Sequence, residues 1–288
     1  MTMLMELNNL HKEIGNLRLN NINLKLESGY IVGLLGVNGS GKTSLINTIL
    51  NLYKKDKGMV IINGFSMDSN EKEAKEQIGF VLDENMFEDT MSVKSNGVVF
   101  GRLYSRFNEE VFKEFCKRFN VPFKKKVGKL STGEKIKFQL AFALSHDAKL
   151  FIMDEPTAGL DPLFRKELIN YMQEIVEDGT RSVLFSTHIT EDLDRIGDYI
   201  ALINNGELFF YLSKEELGEK YKILQGSKEK IESMKDINVI YKEYGEYHSF
   251  AFVEDLEIKK YEGIKIKTPT LEEIMYCLDK GGYDKCLK

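Results

Sequence analysis

The sequence predicts an α/β fold whose central sheet is largely parallel. Short apolar runs alternate with segments of helical periodicity, as in strands joined by crossover helices. A glycine-rich stretch that ends in Lys42 follows the apolar run Tyr30–Leu35. With 42% hydrophobic residues among 288, the chain can also bury a substantial core.

The strands of the parallel sheet are expected where apolar residues run together, because strands buried on both faces lack polar alternation. The predicted strands are Tyr30–Leu35, Gln77–Leu82, Leu150–Asp154, Ser182–Ser186 and Tyr199–Ile203. An antiparallel N-terminal β subdomain is expected from Met5–Leu7, Asn23–Leu26 and Met59–Ile62. The last of these precedes Asn63-Gly64, which is a hairpin turn signal.

A helical insertion interrupts this pattern over about residues 85–148. Val111–Phe119 has apolar residues at 111, 112, 115 and 119, close to the helical period. The run Lys135–Leu144 is also compatible with a helix. We therefore predict a helical subdomain inserted into the α/β core.

The character of the sequence changes again after about Leu212, which predicts two domains, 1–212 and 213–288. The second is expected to be a small α+β appendage with strands at Ile237–Tyr241, Ser249–Val253 and Ile264–Lys267. Its closing helix, Leu271–Asp279, follows Thr270, and Glu273 stands where a capping box requires it. Its role is open between a packing or dimer-stabilising module and a regulatory sensor.

Composition narrows the class of protein. A formal net charge of −5 argues against a dedicated nucleic-acid binder, and no run of 18 or more apolar residues suits a membrane span. The N-terminus lacks the pattern of a signal peptide. Cys116, Cys277 and Cys286 lack metal-ligand spacing, so we expect free thiols in a reducing compartment. These features predict a cytoplasmic chain whose membrane role would need a partner.

The stretch from Gly36 to Thr43 matches the G-x-x-x-x-G-K-[ST] pattern and is followed by a helix-compatible run, Ser44–Leu52. Its glycines let backbone N–H groups approach an anion, and the helix N-terminus adds positive charge. Lys42 would contact the β- and γ-phosphates, and Thr43 would bind Mg²⁺. We predict a P-loop NTPase core. The predicted nucleotide-binding residues of the loop are Gly36, Val37, Asn38, Gly39, Ser40, Gly41, Lys42, Thr43 and Ser44.

An acidic pair follows the predicted strand Leu150–Asp154. In phosphate-loop enzymes an acid at such a strand end holds Mg²⁺, which assigns Asp154 to the metal. Glu155 comes one residue later and could act as the general base toward an attacking water.

Further motifs, in this order, resemble those of the ABC-type ATPases across roughly residues 1–212. Leu130-Ser131-Thr132-Gly133-Glu134 resembles the family signature, usually written Leu-Ser-Gly-Gly-Gln. Ala158-Gly159-Leu160-Asp161 resembles the loop that crosses the dimer interface, and His188 resembles the switch histidine.

The resemblance implies an ATPase that binds ATP and Mg²⁺, with Glu155, His188 and Lys42 as catalytic residues. It also implies a homo- or heterodimer in which Ser131 and Gly133 of one subunit face the phosphates held by the other. The expected partner is an integral membrane permease, with the chain peripheral on the inner face of the cell membrane. The signature, the segment 186–189 and the appendage most resemble the drug- and antibiotic-export branch.

Two positions depart from the family pattern. Asp83 stands where many relatives have glutamine, and it would supply an oxygen ligand to Mg²⁺ unless it is an ordinary surface acid. Ile14 stands where relatives place an aromatic residue against adenine, with His11 or Tyr30 as possible substitutes. We therefore expect weak discrimination between ATP and GTP.

Two other functions are alternatives to a transporter ATPase. A soluble ABC-type ATPase acting on nucleic acid or ribosomes usually carries two such domains in tandem or a long coiled-coil insertion. This sequence has one phosphate loop and no sustained heptads. A kinase with the same loop should lack the signature and the switch histidine.

Overall fold

The computed structural model describes residues 2–233, 238–245, 249–254 and 263–281. The chain divides into two compact units, Met1–Leu208 and Phe209–Lys288. The functional division after residue 212 stays a prediction, and each unit is described by itself.

The first unit is a layered α/β structure, and the strand β10 continues from it into the second unit. The strands are β1 (Met3–Ile14), β2 (Leu17–Glu27), β3 (Ile31–Leu35), β4 (Lys57–Ile62), β5 (Phe65–Ser66), β6 (Ile78–Val81), β7 (Leu150–Met153), β8 (Ser182–Thr187), β9 (Tyr199–Asn204) and β10 (Glu207–Ser213). The helices are α1 (Lys42–Ile49), α2 (Glu71–Glu76), α3 (Val93–Gly101), α4 (Glu109–Arg118), α5 (Thr132–Ala143), α6 (Pro162–Val176) and α7 (Thr190–Ile196).

The central sheet has the strand order β10-β9-β3-β8-β7-β6. The pairs of β3 with β8 and β9, of β7 with β8, and of β6 with β7 are all parallel. Every residue of β3 and of β7 is buried, which explains their uninterrupted apolar sequences. The predicted largely parallel sheet is confirmed, and only β10 was not foreseen.

Parallel pairing brings the carboxyl ends of β3, β7 and β8 to one edge of the sheet. Leu35 is in register with Thr187, and Met153 with Phe185. The phosphate loop follows Leu35, the acidic pair follows Met153, and His188 follows Thr187. The edge therefore assembles the predicted site from distant parts of the sequence.

The antiparallel sheet of the first unit has the order β2-β1-β4-β5. Its first two strands are much longer than the predicted Met5–Leu7 and Asn23–Leu26. In β2, buried residues mostly alternate with exposed ones, so its apolar residues do not form a run. The predicted lengths of β1 and β2 were wrong, because polar residues on the solvent-facing side of these strands interrupt the apolar runs.

The helical insertion contains α3, α4 and α5. Asn108 caps α4 through its side chain, so the helix begins at Glu109, before the predicted Val111. The helix α5 begins at Thr132, before the predicted Lys135, because Ser131 caps it. Aromatic rings of the insertion pack together, with Phe87 and Phe138 centroids 4.5 Å apart. Burial raises the pKa of the Cys116 thiol to about 12, so this cysteine is an inert part of the core.

The second unit is an antiparallel sheet with the order β12-β13-β11-β14 among the described residues. Its further elements are α8 (Lys214–Lys220), β11 (Tyr221–Gly226), α9 (Lys228–Glu232), β12 (Asn238–Tyr244), β13 (Ser249–Glu254), β14 (Lys265–Lys267) and α10 (Leu271–Gly281). Leu224, Ile231, Ala251 and Val253 form a buried core on one face. The strand β11 was not predicted.

The predicted capping box of α10 is present. Thr270 N–H donates to Glu273 Oε2 at 3.0 Å, and Glu273 N–H donates to Thr270 Oγ1 at 3.2 Å. Cys277 is a buried free thiol, whereas Ile237 and Cys286 lie outside the described residues.

Candidate active site

The phosphate loop connects β3 to α1 and needs its glycines for two reasons. Gly39 and Gly41 have φ values of 81° and 115°, which favour glycine. A Cβ at Gly36 would lie 2.4 Å from the Ile203 carbonyl oxygen, so no larger residue fits there. The helix begins at Lys42 and ends at Ile49, earlier at both ends than the predicted Ser44–Leu52.

The loop folds around the Lys42 side chain, which is only 5% exposed. Its Nζ donates to the Gly36 carbonyl at 2.9 Å and to the Val37 carbonyl at 3.3 Å. The same ammonium lies 3.3 Å from Glu155 Oε1. The lysine is therefore held between the loop and the acidic pair.

Asp154 lies just past the end of β7, since the strand stops at Met153 and not at the predicted Asp154. Its carboxylate is almost fully buried and accepts a hydrogen bond from Ser186 Oγ at 2.5 Å. Burial raises the pKa of Asp154, and the Glu155 charge adds to this effect. Hydrogen bonds from Ser186 and Thr43, and the charge of Lys42, act in the opposite direction. The Thr43 hydroxyl and Asp154 are therefore direct neighbours, as a shared metal ion would require.

Glu155 is held from two sides. Its φ is 44°, a strained value for a non-glycine residue, and its N–H donates to Ser186 Oγ at 2.8 Å. Its Oε2 lies 2.8 Å from His188 Nδ1. The Ser186 hydroxyl therefore bridges the two acids, accepting from the backbone of Glu155 and donating to the side chain of Asp154.

A cleft of about 360 Å³ opens above these groups. Its lining residues are Leu17, Asn38, Gly39, Gly41, Lys42, Thr43, Ser44, Asp83, Glu155, Ala158 and His188. Asp83 is exposed and shares the cleft with Thr43. Of the other predicted residues, Ser40 is buried beneath the loop, and Val37 is 45% exposed. Most of the predicted residues are thus brought together at one place.

Ser131 and Gly133 do not line this cleft. Ser131 is exposed at the start of α5, where it forms a capping box with Glu134. A Cβ placed on Gly133 would lie 3.7 Å from Leu160, so the signature adjoins the 158–161 loop. Within one chain the signature therefore remains a separate surface.

The loop of residues 158–161 links the cleft to α6. Ala158 lines the cleft, and its N–H donates to the Glu155 carbonyl at 3.1 Å. Gly159 has a φ of 69°, and Asp161 caps α6 by accepting from the N–H groups of Leu163 and Phe164. The motif is thus a turn built between the acidic pair and a helix.

Sequence reasoning missed the contributions of Ser186 and Leu17. Ser186 follows the apolar run Val183–Phe185 and begins the polar end of its strand, which was a usable signal. Leu17 pairs with Ile14 across the β1–β2 turn and lines the cleft, whereas Ile14 is absent from the lining. Tyr30 precedes β3, at the opposite end from the loop, and its ring packs edge-on against Tyr199. Tyr30 is therefore not a substitute for a ring on adenine.

Three features define a P-loop nucleoside triphosphatase: the glycine loop around Lys42, the buried Asp154 at the same edge of the sheet, and the Glu155–His188 pair. Among the described residues, no helix is long and apolar enough to cross a membrane. The same residues contain no cluster of three or more His, Cys, Asp or Glu side chains suited to a metal ion.

Comparisons with known proteins agree with this class. The family model described as ABC transporter matches residues 19–158, and a model described as AAA domain, putative AbiEii toxin, Type IV TA system matches residues 126–194. The ABC transporter ATP-binding protein YtrB of Bacillus subtilis (strain 168) is 33% identical over 221 residues, 76% of this chain and 75% of that protein. The bacitracin transport ATP-binding protein BcrA of Bacillus licheniformis is 30% identical, over 65% of this chain and 62% of that protein.

A solved structure shows the same fold. It is a dimeric ATP-binding cassette in a post-hydrolysis state with ADP and Pi, with a TM-score of 0.65 and 23% identity. The match covers 73% of this chain and 98% of that chain. The proteins that match are named for both export and import.

The chain belongs to the ATP-binding proteins of ABC transporters. It is an ATP-binding, ATP-hydrolysing transporter subunit, and proteins of this kind dimerise and act with membrane permease components. The names of the relatives given above refer to transport and give no support to a function on nucleic acid.

Proposed function

We propose that Glu155 is the general base for ATP hydrolysis and that Ser186 and His188 hold it in place. The observation that carries this is the Ser186 hydroxyl, which contacts Asp154 and the backbone of Glu155 at 2.5 and 2.8 Å. The strained φ of Glu155 turns its side chain out of the strand direction toward the cleft. A carboxylate fixed there can accept a proton from a water that attacks the γ-phosphate.

The phosphates of ATP would lie against the loop from Gly36 to Ser44. The positive end of α1 and the ammonium of Lys42 favour an anion at this position. Lys42 is buried and oriented by two carbonyl groups of its own loop, so its charge needs little reorganisation to meet a phosphate.

The oxygen donors present fit Mg²⁺. The Thr43 hydroxyl hydrogen-bonds to Asp154, and Asp83 lines the same cleft, which makes an all-oxygen set of the kind that this ion prefers. Thr43, Asp154 and Asp83 would hold the ion. When bound, Mg²⁺ would neutralise charge on the phosphates. Lowering the pKa of Asp154 would accompany its binding, because the carboxylate is otherwise penalised by burial.

The site is proposed to be completed by a second subunit, in a homo- or heterodimer. Ser131 and Gly133 lie outside the cleft of their own chain, and Ser131 stands exposed at a helix N-terminus. Such a terminus attracts anions, so it suits the phosphates held by the partner.

We propose that the permease docks on an apolar groove of about 270 Å³. Its lining residues are Leu50, Leu52, Lys75, Ile78, Phe80, Leu82, Met86, Phe87, Phe100, Leu103, Tyr104 and Phe142. Leu52, Met86 and Leu103 are 42%, 39% and 66% exposed, which is unusual for large apolar side chains grouped together. Leu82 adjoins Asp83, so the groove and the nucleotide cleft meet at the end of one strand.

The transported substrate is proposed to be a drug, an antibiotic peptide or a similar amphiphile, moved outward by a permease above a cytoplasmic, peripheral subunit. The bacitracin-transport relative supports this class of substrate, and the resemblance of the signature to the export branch supports the direction. ATPase stimulation by amphiphiles in the reconstituted complex with its permease would test it, and stimulation by sugars or ions alone would contradict it.

The Glu155→Gln variant tests the proposed mechanism. Cleavage should fall by a factor of about 100 or more while ATP binding stays intact, because only hydrolysis needs a base. The ATP-bound dimer should accumulate, as measured by light scattering. Glu110→Gln, a change of the same kind on the exposed face of α4, should behave as the wild type. Normal turnover of Glu155→Gln would overturn the role of the base.

A further inference from the structure

Glu134 places a carboxylate at the N-terminus of the signature helix. Its Oε2 accepts a hydrogen bond from the backbone N–H of Ser131 at 2.8 Å. The same oxygen accepts a second hydrogen bond from Lys125 Nζ, also at 2.8 Å. In return, Glu134 N–H donates to Ser131 Oγ at 3.2 Å. One carboxylate oxygen therefore joins Ser131 to Lys125.

This carboxylate creates an electrostatic problem for the proposed function, on which the inference rests. The N-terminus of a helix carries about half a positive charge, and a full negative charge beside it reverses the sign of the local field. Phosphates approaching Ser131 would then be repelled at short range. The signature usually ends in the neutral glutamine, which offers the same acceptor oxygen without the charge.

Lys125 removes the problem because it is held in place. Its N–H donates to the Pro122 carbonyl at 2.9 Å, and its carbonyl accepts from the N–H of Val93 at the start of α3 at 3.0 Å. The hydrogen bond from Lys125, followed by that from Ser131, lowers the pKa of Glu134. At neutral pH the carboxylate is thus charged and paired with the ammonium.

The neighbouring lysines differ from Lys125. Lys124 and Lys126 are exposed, and neither forms an ion pair within the part of the chain that the structure describes. They add to a general positive surface, whereas Lys125 contacts the one carboxylate that caps the signature helix. A comparison of Lys125 with Lys124 therefore distinguishes a specific role of Lys125 from the effect of removing one positive charge.

We propose that Lys125 is a positioning residue for the phosphate contact across the dimer. Its ammonium neutralises the charge of Glu134, which continues to cap α5. The exposed Ser131 and the N-terminus of its helix can then contact the γ-phosphate held by the other subunit. Lysine and glutamate together replace the neutral glutamine of the usual signature.

The test measures ATP-driven dimerisation by light scattering in the Glu155→Gln background, where hydrolysis is blocked. Lys125→Met should weaken dimerisation about three- to tenfold, because an unpaired carboxylate then faces the phosphates. Adding Glu134→Gln to Lys125→Met should restore dimerisation to within about twofold, because glutamine keeps the capping oxygen without the charge. Lys124→Met, which removes the same charge elsewhere, should dimerise normally.

Rescue by Glu134→Gln is the outcome that a purely structural role for Lys125 does not produce. A double variant as weak as Lys125→Met, or normal dimerisation of Lys125→Met itself, would overturn the inference. Single-subunit binding of a fluorescent ATP analogue verifies that each variant is folded. If Ser131→Ala dimerises normally in the same background, the proposed contact across the dimer fails instead.

Discussion

The edge of the central sheet and the start of the signature helix are two surfaces that we propose contact the phosphates, and they are built in opposite ways. At the sheet edge, Lys42 and Asp154 are buried, Glu155 has a strained backbone, and Ser186 connects the two acids. At the signature helix, Ser131 is exposed, unstrained and capped by its own Glu134.

The comparison shows which of these two surfaces a single chain can assemble completely. Burial and strain cost free energy, and the tertiary structure supports them only where many elements converge. A helix N-terminus needs no such support, because local hydrogen bonds complete it. The groups at the sheet edge are therefore assembled within one chain, whereas we propose that the signature acts only against a partner subunit.

Among the changes that compare the two surfaces, removal of the bridging Ser186 hydroxyl should have the largest effect. Ser186→Ala is expected to lower kcat by a factor of about 10 to 100 with little change in KM, because it releases Glu155 and Asp154 from their fixed positions. Steady-state ATPase kinetics measure this. Ser182→Ala alters a buried serine at the other end of the same strand and serves as the control. An unchanged kcat for Ser186→Ala would contradict the difference drawn between the two surfaces.

A substitution in the signature should change dimerisation and not the affinity of the single subunit for ATP. Ser131→Ala is expected to weaken ATP-driven dimerisation about tenfold while leaving the affinity of a single subunit for ATP unchanged. Light scattering and equilibrium binding separate the two quantities. Loss of nucleotide affinity in the single subunit would show that the serine serves its own chain.

The buried, charged Asp154 should lower the stability of the folded chain, and the size of this effect should depend on pH. The folded-state pKa of Asp154 is raised by burial, so the folded chain favours the protonated acid and loses stability as pH rises above the ordinary value of 3.8. Asp154→Asn should therefore stabilise the chain at pH 7 by on the order of 1 kcal/mol, without nucleotide or Mg²⁺.

Thermal unfolding monitored at pH 7 and below pH 3.8 checks this sign, since the gain should vanish in acid. Asp178→Asn is a control of the opposite sign, because hydrogen bonds from Thr180 lower the pKa of the exposed Asp178, so this variant should not gain stability at pH 7. If Asp154→Asn is less stable than the wild type at pH 7, the hydrogen bonds and the Lys42 charge outweigh the effect of burial on the Asp154 carboxylate.

Base discrimination should show the smallest effect. The cleft offers the aliphatic Leu17 near the phosphate loop, and dispersion contacts distinguish adenine from guanine poorly. The affinities for ATP and GTP are expected to differ by less than about tenfold. Equilibrium titration with both nucleotides decides this, and a preference of tenfold or more would point to a base contact outside the described lining.

Much of the fold could be predicted because the signals are local. Apolar runs marked the buried parallel strands, and the pattern from Gly36 to Thr43 marked the loop. The lengths of β1 and β2 escaped this approach, because polar residues on their wet face break the apolar runs. The predicted helix starts were a few residues late where a side chain such as Asn108 or Ser131 caps the helix.

By itself, the sequence determined the residue types that the chemistry needs: the lysine, the threonine, the acidic pair and the histidine. Only the tertiary structure decided that Ser186 bridges the two acids, that Leu17 and not Ile14 lines the cleft, and that Ser131 stays outside it. The physical reason is that parallel register joins strand ends from distant parts of the chain, and no local pattern records which side chains meet there.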